Sequence, residues 1–332
     1  MRNKLKGIHF GSYWMGKNDV VYLMSRELKY LCDLILINTS IYSRKKSNWY
    51  TEDYSHSKIR PIRWLDDFKV LELIKKKKPD FIIVNSGGMS LTQETIRKLK
   101  GFNIIIIGIS LSDPDVFYEN GKIYAKYYDL FYTNSQFALD NLYPKGETNI
   151  KLLPFAASPR FHRPLGHINN VYDVVVIGHA RPERVHIVRK LKKYFTIGLF
   201  GSGWGKEYRS VHGEEHVRAI NSGKIYLSFS QTVGGYKNVK VGIFEAVACK
   251  SCVVTQMFNE IESYFKYGID ILGYTNSDML IDLITTYSKN AKLRNWISNN
   301  GYNRLLNEHT WEKRWGGILN DIRKIQYEKY GI

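Results

Sequence analysis

Residues 224–265, KIYLSFSQTVGGYKNVKVGIFEAVACKSCVVTQMFNEIESYF, constrain this chain more than any other stretch. The pattern predicts a buried strand, a glycine-containing loop, a short helix opening near Val241, a strand over Ser251 to Thr255 and a further helix. Strand and helix alternating in this way build a parallel α/β sheet. Such a sheet takes ligands at the carboxyl ends of its strands, where the loop delivers its polar residues. Glu245, early in an otherwise apolar helix, is placed to accept hydrogen bonds from both hydroxyls of a ribose, and Lys240 just before it to reach a phosphate. A lone Glu at such a place more often reads as a solvated helix residue. The surrounding elements reverse that reading.

The same alternation runs along the rest of the chain. LKGIHF, LILINTS, DFIIVNS, NIIIIGIS and DLFYTNS lack strict alternation, as expected of strands buried on both faces, and KNDVVYLMSRELKYL, LDDFKVLELIKKKK and TQETIRKLKG supply helices between them. Residues 150–170, IKLLPFAASPRFHRPLGHINN, hold three of the eight prolines and no helical period, which predicts a linker. A second set of strands follows in DVVVIG, FTIGLFG, KIYLSFS, SCVVTQ and IDILGY. At 332 residues the chain is long enough for two domains, each with its own core.

Several elements occur in a suggestive order: SLSDPD, KLLPFAASPRFHRP, VVVIGHARPER, GSGW, the run holding Asn238, Lys240, Phe244, Glu245, Ala248, Cys249, Thr255 and Glu260, and the ending HTWEKR. In this order they resemble the spore-maturation CgeB-like glycosyltransferases of the GT-B class. The resemblance covers most of the chain and implies an α/β GT-B fold, two Rossmann-like domains facing across a cleft. It implies an amino-terminal acceptor domain over 1–157, with the helix over 312–332 packing back on it, and a nucleotide-sugar-binding domain over 165–311. The implied activity is metal-independent transfer of a hexosyl or pentosyl group, with a nucleotide sugar, by analogy a UDP-sugar, as co-substrate and no other cofactor.

The residues themselves support particular roles. Gly178 closes a strand and lets backbone approach a ligand, while Arg181 and Arg184 open the next helix; helix-end amides with a guanidinium make a pyrophosphate site. Gly203, in a G-x-G after the next strand, is a weak signal and falls short of a dinucleotide fingerprint. His212 in VHGEE is a candidate lining of a base pocket, although an ordinary loop histidine fits equally, and Asn238 joins Lys240 and Glu245 on the donor side. On the acceptor side stand Gly11, Ser12 and Tyr13, after the first strand, and Gly87 and Gly88, after a later one. Asp113 is the candidate base or acceptor ligand, against the plainer reading of an aspartate that caps a turn. Asp113 and Asp115 have D-x-D spacing, but a proline-linked turn after an amino-domain strand fits the two-domain reading better than a metal-holding one. Retaining members of the class often carry a second Glu eight residues before the ribose-binding one; Lys237 stands there, so the stereochemical outcome stays open.

Net charge enters through the acceptor. The chain carries 49 Lys and Arg against 31 Asp and Glu, a net +18, which favours polyanionic partners. DNA with a hydroxylated base and a cell-surface glycopolymer are both expected acceptors, although no dedicated DNA-binding module is visible. Part of the charge is structural: the Lys75–Lys78 run ends a helix and complements its negative pole. Cys32, Cys249 and Cys252 sit in apolar patterns as structural thiols, and no second pair completes a metal site around the C-x-x-C spacing. No apolar run approaches the roughly 20 residues of a membrane span, and a cytoplasmic protein is expected. The competing reading is a non-catalytic nucleotide-sugar-binding protein in a surface or spore-coat role. A phosphorylase or epimerase on the same fold is a third.

Overall fold

The computed structural model describes residues 4–13, 20–39, 50–53, 62–85, 91–166 and 171–331. They divide into two units, Met1–Pro154 together with Arg314–Ile332, and Phe155–Lys313. Each is built on its own parallel sheet.

The first sheet contains β1 (Lys6–Gly11), β2 (Asp33–Asn38), β5 (Phe81–Asn85), β6 (Ile105–Ser110), β7 (Leu130–Thr133) and β8 (Ile150–Leu152), in the order β2-β1-β5-β6-β7-β8. β3 (Tyr50–Asp53) and β4 (Ile62–Leu65) form a separate antiparallel pair. Every residue of β5 and β6 is buried. Each Ile, Val or Phe so enclosed contributes about 1.5–3 kcal/mol, which makes this sheet the centre of the unit's stability. Helices flank it, and three of them begin as their sequences direct: the side chains of Asp66, Thr92 and Ser135 accept from the backbone N–H of Lys69, Thr95 and Ala138. The Lys75–Lys78 run is exposed at the end of helix Asp67–Lys77.

The chain returns to this unit through helix Trp311–Tyr330, whose residues from Arg314 onward belong to it. Trp315 is 1% exposed and donates from its indole to the Met24 carbonyl at 2.7 Å. Nearly two turns further on, Tyr132 donates to Asp321 at 2.6 Å and Lys151 pairs with the same carboxylate at 2.7 Å.

The second sheet contains β9 (Tyr172–Ile177), β10 (Ile197–Phe200), β11 (Gly223–Ser228), β12 (Cys252–Gln256) and β13 (Leu272–Tyr274), ordered β10-β9-β11-β12-β13 and parallel throughout. Its core joins Val174, Val176, Leu199, Ile225, Leu227, Cys252 and Val254 to Leu280, Ile284 and Ile297 from the helices. From β9 the chain first builds outward to β10 and then returns to lay β11 on the other side. The carboxyl ends of β9 and β11 therefore flank the topological switch point, where open α/β sheets bind ligands.

Two differences from the sequence pattern have clear causes. The predicted linker over 150–170 starts with β8, a three-residue edge strand that pairs through Ile150, Lys151 and Leu152 before Pro154 ends it. The β3–β4 pair went unrecognised because four-residue strands offer too few positions for a period to emerge.

Candidate active site

The loop after β9 is shaped by glycine. Gly178 has φ 136° and Gly201, at the end of β10, has φ 139°; a Cβ on Gly201 would lie 2.2 Å from the Gly178 carbonyl oxygen. Only glycine permits this approach of two loops. Trp204 then donates to the same carbonyl at 2.8 Å, and Ala180 N–H to the Ser202 carbonyl at 2.9 Å, so the GSGW element braces the loop. Gly203, φ 84°, is exposed beside Ala180.

Helix Pro182–Leu191 opens from this loop with Arg181 at its N-cap and no side chain capping its first turn. Arg184 is 9% exposed, lies over the Phe229 ring at 5.4 Å, and donates to the His179 carbonyl at 3.0 Å. Its Nε has no hydrogen-bond acceptor among the described residues, the Glu183 carboxylate standing 3.9 Å away. Burial, joined by the charge of Arg181, pulls the Arg184 pKa below its ordinary value. A guanidinium placed in this way is stabilised by any anion that reaches it. Arg181 reaches across the switch point to the Gln231 carbonyl at 3.4 Å, which ties the loop after β9 to the one after β11.

That second loop leads through Asn238, which is buried and donates its N–H to the Ser230 carbonyl at 3.0 Å, to Lys240, the half-buried N-cap residue of helix Val241–Ala248. Glu245 points from this helix into a polar group that sequence reasoning missed. His216, on helix Glu214–Asn221, places Nε2 3.1 Å from one carboxylate oxygen, and His162, from the segment after Pro154, places Nε2 3.4 Å from the other. Burial alone would raise the Glu245 pKa; His162 and His216 outweigh it and hold the carboxyl down at about 2. His162 lies within the noted run KLLPFAASPRFHRP, and His216 directly follows VHGEE. Nothing in a single sequence signals that these two segments meet. His212 itself is exposed, before Gly213 at φ 60°.

In the first unit, Asp113 is 1% exposed and accepts from Ser110 at 2.8 Å, Thr133 at 2.6 Å and Tyr143 at 2.8 Å. Its carboxylate ties the loop after β6 to the end of β7, and its expected service as a base has no open oxygen face to work from. Tyr13 is 5% exposed and packs edge-on against Tyr22 and His9, so its ring is core and not a stacking face. Gly11 is buried at the end of β1 and Ser12 half-buried beside it. Gly87 and Gly88 lie outside the described residues.

Residues 181–320 match the family model described as glycosyl transferase-like. No functionally curated protein matches the sequence. Among solved structures, the chain resembles sucrose-phosphate synthase from Thermosynechococcus elongatus, with TM-score 0.66, 11% identity, and 96% of this chain and 99% of that one covered. It also resembles a glycosyltransferase from Rickettsia africae ESF-5, with TM-score 0.62, 14% identity, and 97% and 99% covered. A third is Anabaena Alr3699/HepE, solved in complex with UDP and glucose, with TM-score 0.59, 10% identity, and 96% and 100% covered. The fold is GT-B.

Proposed function

We propose, taking the GT-B fold and the glycosyl transferase-like match over residues 181–320 as premise, that this chain moves a sugar from a nucleotide sugar to an acceptor hydroxyl. The observation that carries the reading is the meeting, at the β9/β11 switch point, of a glycine-shaped loop, the helix N-terminus behind it and the buried Arg184. In the transfer, the acceptor oxygen bonds to the anomeric carbon as the bond from that carbon to the phosphate oxygen breaks. The electron pair departs with the nucleoside diphosphate, and the hydroxyl proton passes to a base or to water. Charge therefore grows on the diphosphate, where Arg184, Arg181, Lys240 and helix-end amides offset it without a metal.

The donor is a UDP-sugar, in keeping with the UDP and glucose bound by the Anabaena relative. Glu245 reads the ribose hydroxyls, and Asn238, Gly178, Gly203 and His212 line the donor side. The unit holding β1 serves the acceptor, with Gly11, Ser12, Gly87 and Gly88 on that side and Asp113 as a positioning residue in place of a base. The acceptor is polyanionic, either DNA with a hydroxylated base or a surface glycopolymer, as the net +18 favours.

Calorimetry with UDP, and release of UDP from UDP-sugars with and without hydroxymethylated DNA, test this directly. Saturable UDP binding with acceptor-stimulated release supports the reading. Absence of binding by any nucleoside diphosphate or nucleotide sugar would overturn it.

A further inference from the structure

We propose that His162, His216 and Glu245 form a binding site for a borderline divalent transition-metal ion, of which zinc is the reference. The three come from separate segments, and their ligand atoms lie within 4.8 Å of one another. The carboxylate-to-imidazole separations are 3.1 Å to His216 and 3.4 Å to His162. Metal–ligand bonds of about 2.0–2.2 Å at tetrahedral angles set neighbouring ligand atoms roughly 3.3–3.6 Å apart. A charge-assisted hydrogen bond draws them closer, to about 2.7–2.9 Å. The His162 separation falls within the metal range and the His216 separation lies midway between the two cases, so the three groups, within 4.8 Å of one another, draw together by a few tenths of an ångström or more when an ion binds.

The site is also braced. Arg163, next to His162, pairs with Glu214 through both guanidinium nitrogens at 3.2 Å, and Leu165 N–H donates to Asn221 at 2.9 Å. These bonds strap the His162 segment to the helix that carries His216, fixing two ligands before any ion arrives. The side chains of His162 and Glu245 are 3% and 10% exposed, against 18% for His216, which makes His216 the most accessible of the three. Two imidazoles and one carboxylate select zinc-class ions over magnesium or calcium, and three protein ligands leave a position for water or an incoming group.

The site goes beyond the proposed transfer chemistry, which uses no metal. One consequence does rest on that reading: an ion held by Glu245 occupies the oxygens that a ribose would engage, so metal and nucleotide compete.

The test is a titration of the full-length chain, freed of metal, with Co²⁺ followed by its visible absorption, and back-titration with Zn²⁺. The expected result is one saturable equivalent that zinc displaces. His216→Gln, which keeps an N–H donor facing Glu245, loses at least about 100-fold in affinity. His186→Ala, an exposed histidine on helix Pro182–Leu191, leaves it unchanged. Circular dichroism confirms that each variant is folded, and His162→Asn replaces His216→Gln if that variant is not. No saturable equivalent in the wild type, or equal affinity in the variant, overturns the site. UDP affinity is then measured with and without Zn²⁺: weakening supports competition and no change refutes it. Failure of UDP to bind the metal-free chain counts against the nucleotide reading alone, because the cobalt titration stands without it.

Discussion

At the scale of single residues, burial decides which polar groups do chemistry and which hold the fold. His9, on β1, is fully buried between Asn85, 2.5 Å from Nε2, and Ser25, 2.6 Å from Nδ1. Burial lowers its pKa from 6.5 to about 4, with the Asn85 hydrogen bond opposing. The unfolded chain thus takes up a proton where the folded chain cannot, and stability falls as pH drops from about 6.5 to about 4, by about 3 kcal/mol in all. Urea midpoints followed across that range read this slope, and His9→Gln flattens it even where it lowers stability overall; an unchanged slope in the variant would remove His9 as the cause. Arg184 is the contrasting case, a buried cation whose Nε has no acceptor among the described residues. Arg184→Ala is expected to weaken UDP binding about 10- to 100-fold, the worth of a hydrogen bond to a charged group, while leaving the thermal midpoint nearly in place. Equal affinity in wild type and variant would exclude it from the diphosphate site. Glu245 was legible in the sequence as a carboxylate in an apolar helix. Its histidine partners were not, because they arrive from residues 29 and 83 positions earlier and only the fold closes those distances.

At the scale of elements, the sequence spoke most clearly where a segment is buried on all sides. VVVIG, FIIVN and IIIIGIS read as parallel strands because nothing but a two-sided core accommodates such runs, and all three are strands. Short edge elements were hidden, β8 among them, because three residues express no period and its pairing with β7 is a tertiary fact. Loop geometry fell in between: glycines after β9 and β10 were visible, whereas their mutual contact was not. That contact yields a prediction. Gly201→Ala would drive a methyl group into the Gly178 carbonyl at a φ of 139°, and is expected to cost about 2 kcal/mol or more and to loosen the loop that presents Arg184. A thermal midpoint and UDP affinity both equal to wild type would contradict it. In helix Trp311–Tyr330, Trp315→Ala removes a fully enclosed indole and its bond to Met24, at an expected cost of about 3–5 kcal/mol, read by chemical denaturation.

At the scale of the whole molecule, the two parallel sheets were legible from the order of strands and helices, and the charge speaks to the partner more than to the fold. If the net +18 grips a polyanion through about 6–10 phosphate contacts, affinity for a hydroxymethylated DNA acceptor should fall by about 10³–10⁵ between roughly 50 and 200 mM salt. Affinity for UDP should change far less. A flat salt response for the acceptor would assign the charge to solvated helix ends such as Lys75–Lys78. No described helix is long and apolar enough to cross a membrane.

The first unit is written in two places on the chain, Met1–Pro154 and Arg314–Ile332, whereas the second is continuous. On a ribosome the first sheet emerges before the second unit, yet it waits for Arg314–Ile332, made after that unit, before it can close. The indole that meets Met24 and the carboxylate that meets Tyr132 and Lys151 are synthesised only after the whole of the second unit. The second unit can be complete while the first is still open. A nonsense codon just before Arg314 therefore releases a chain in which the earlier-made of the two units is the one left unfinished, a client for chaperones and proteases and not a smaller working protein.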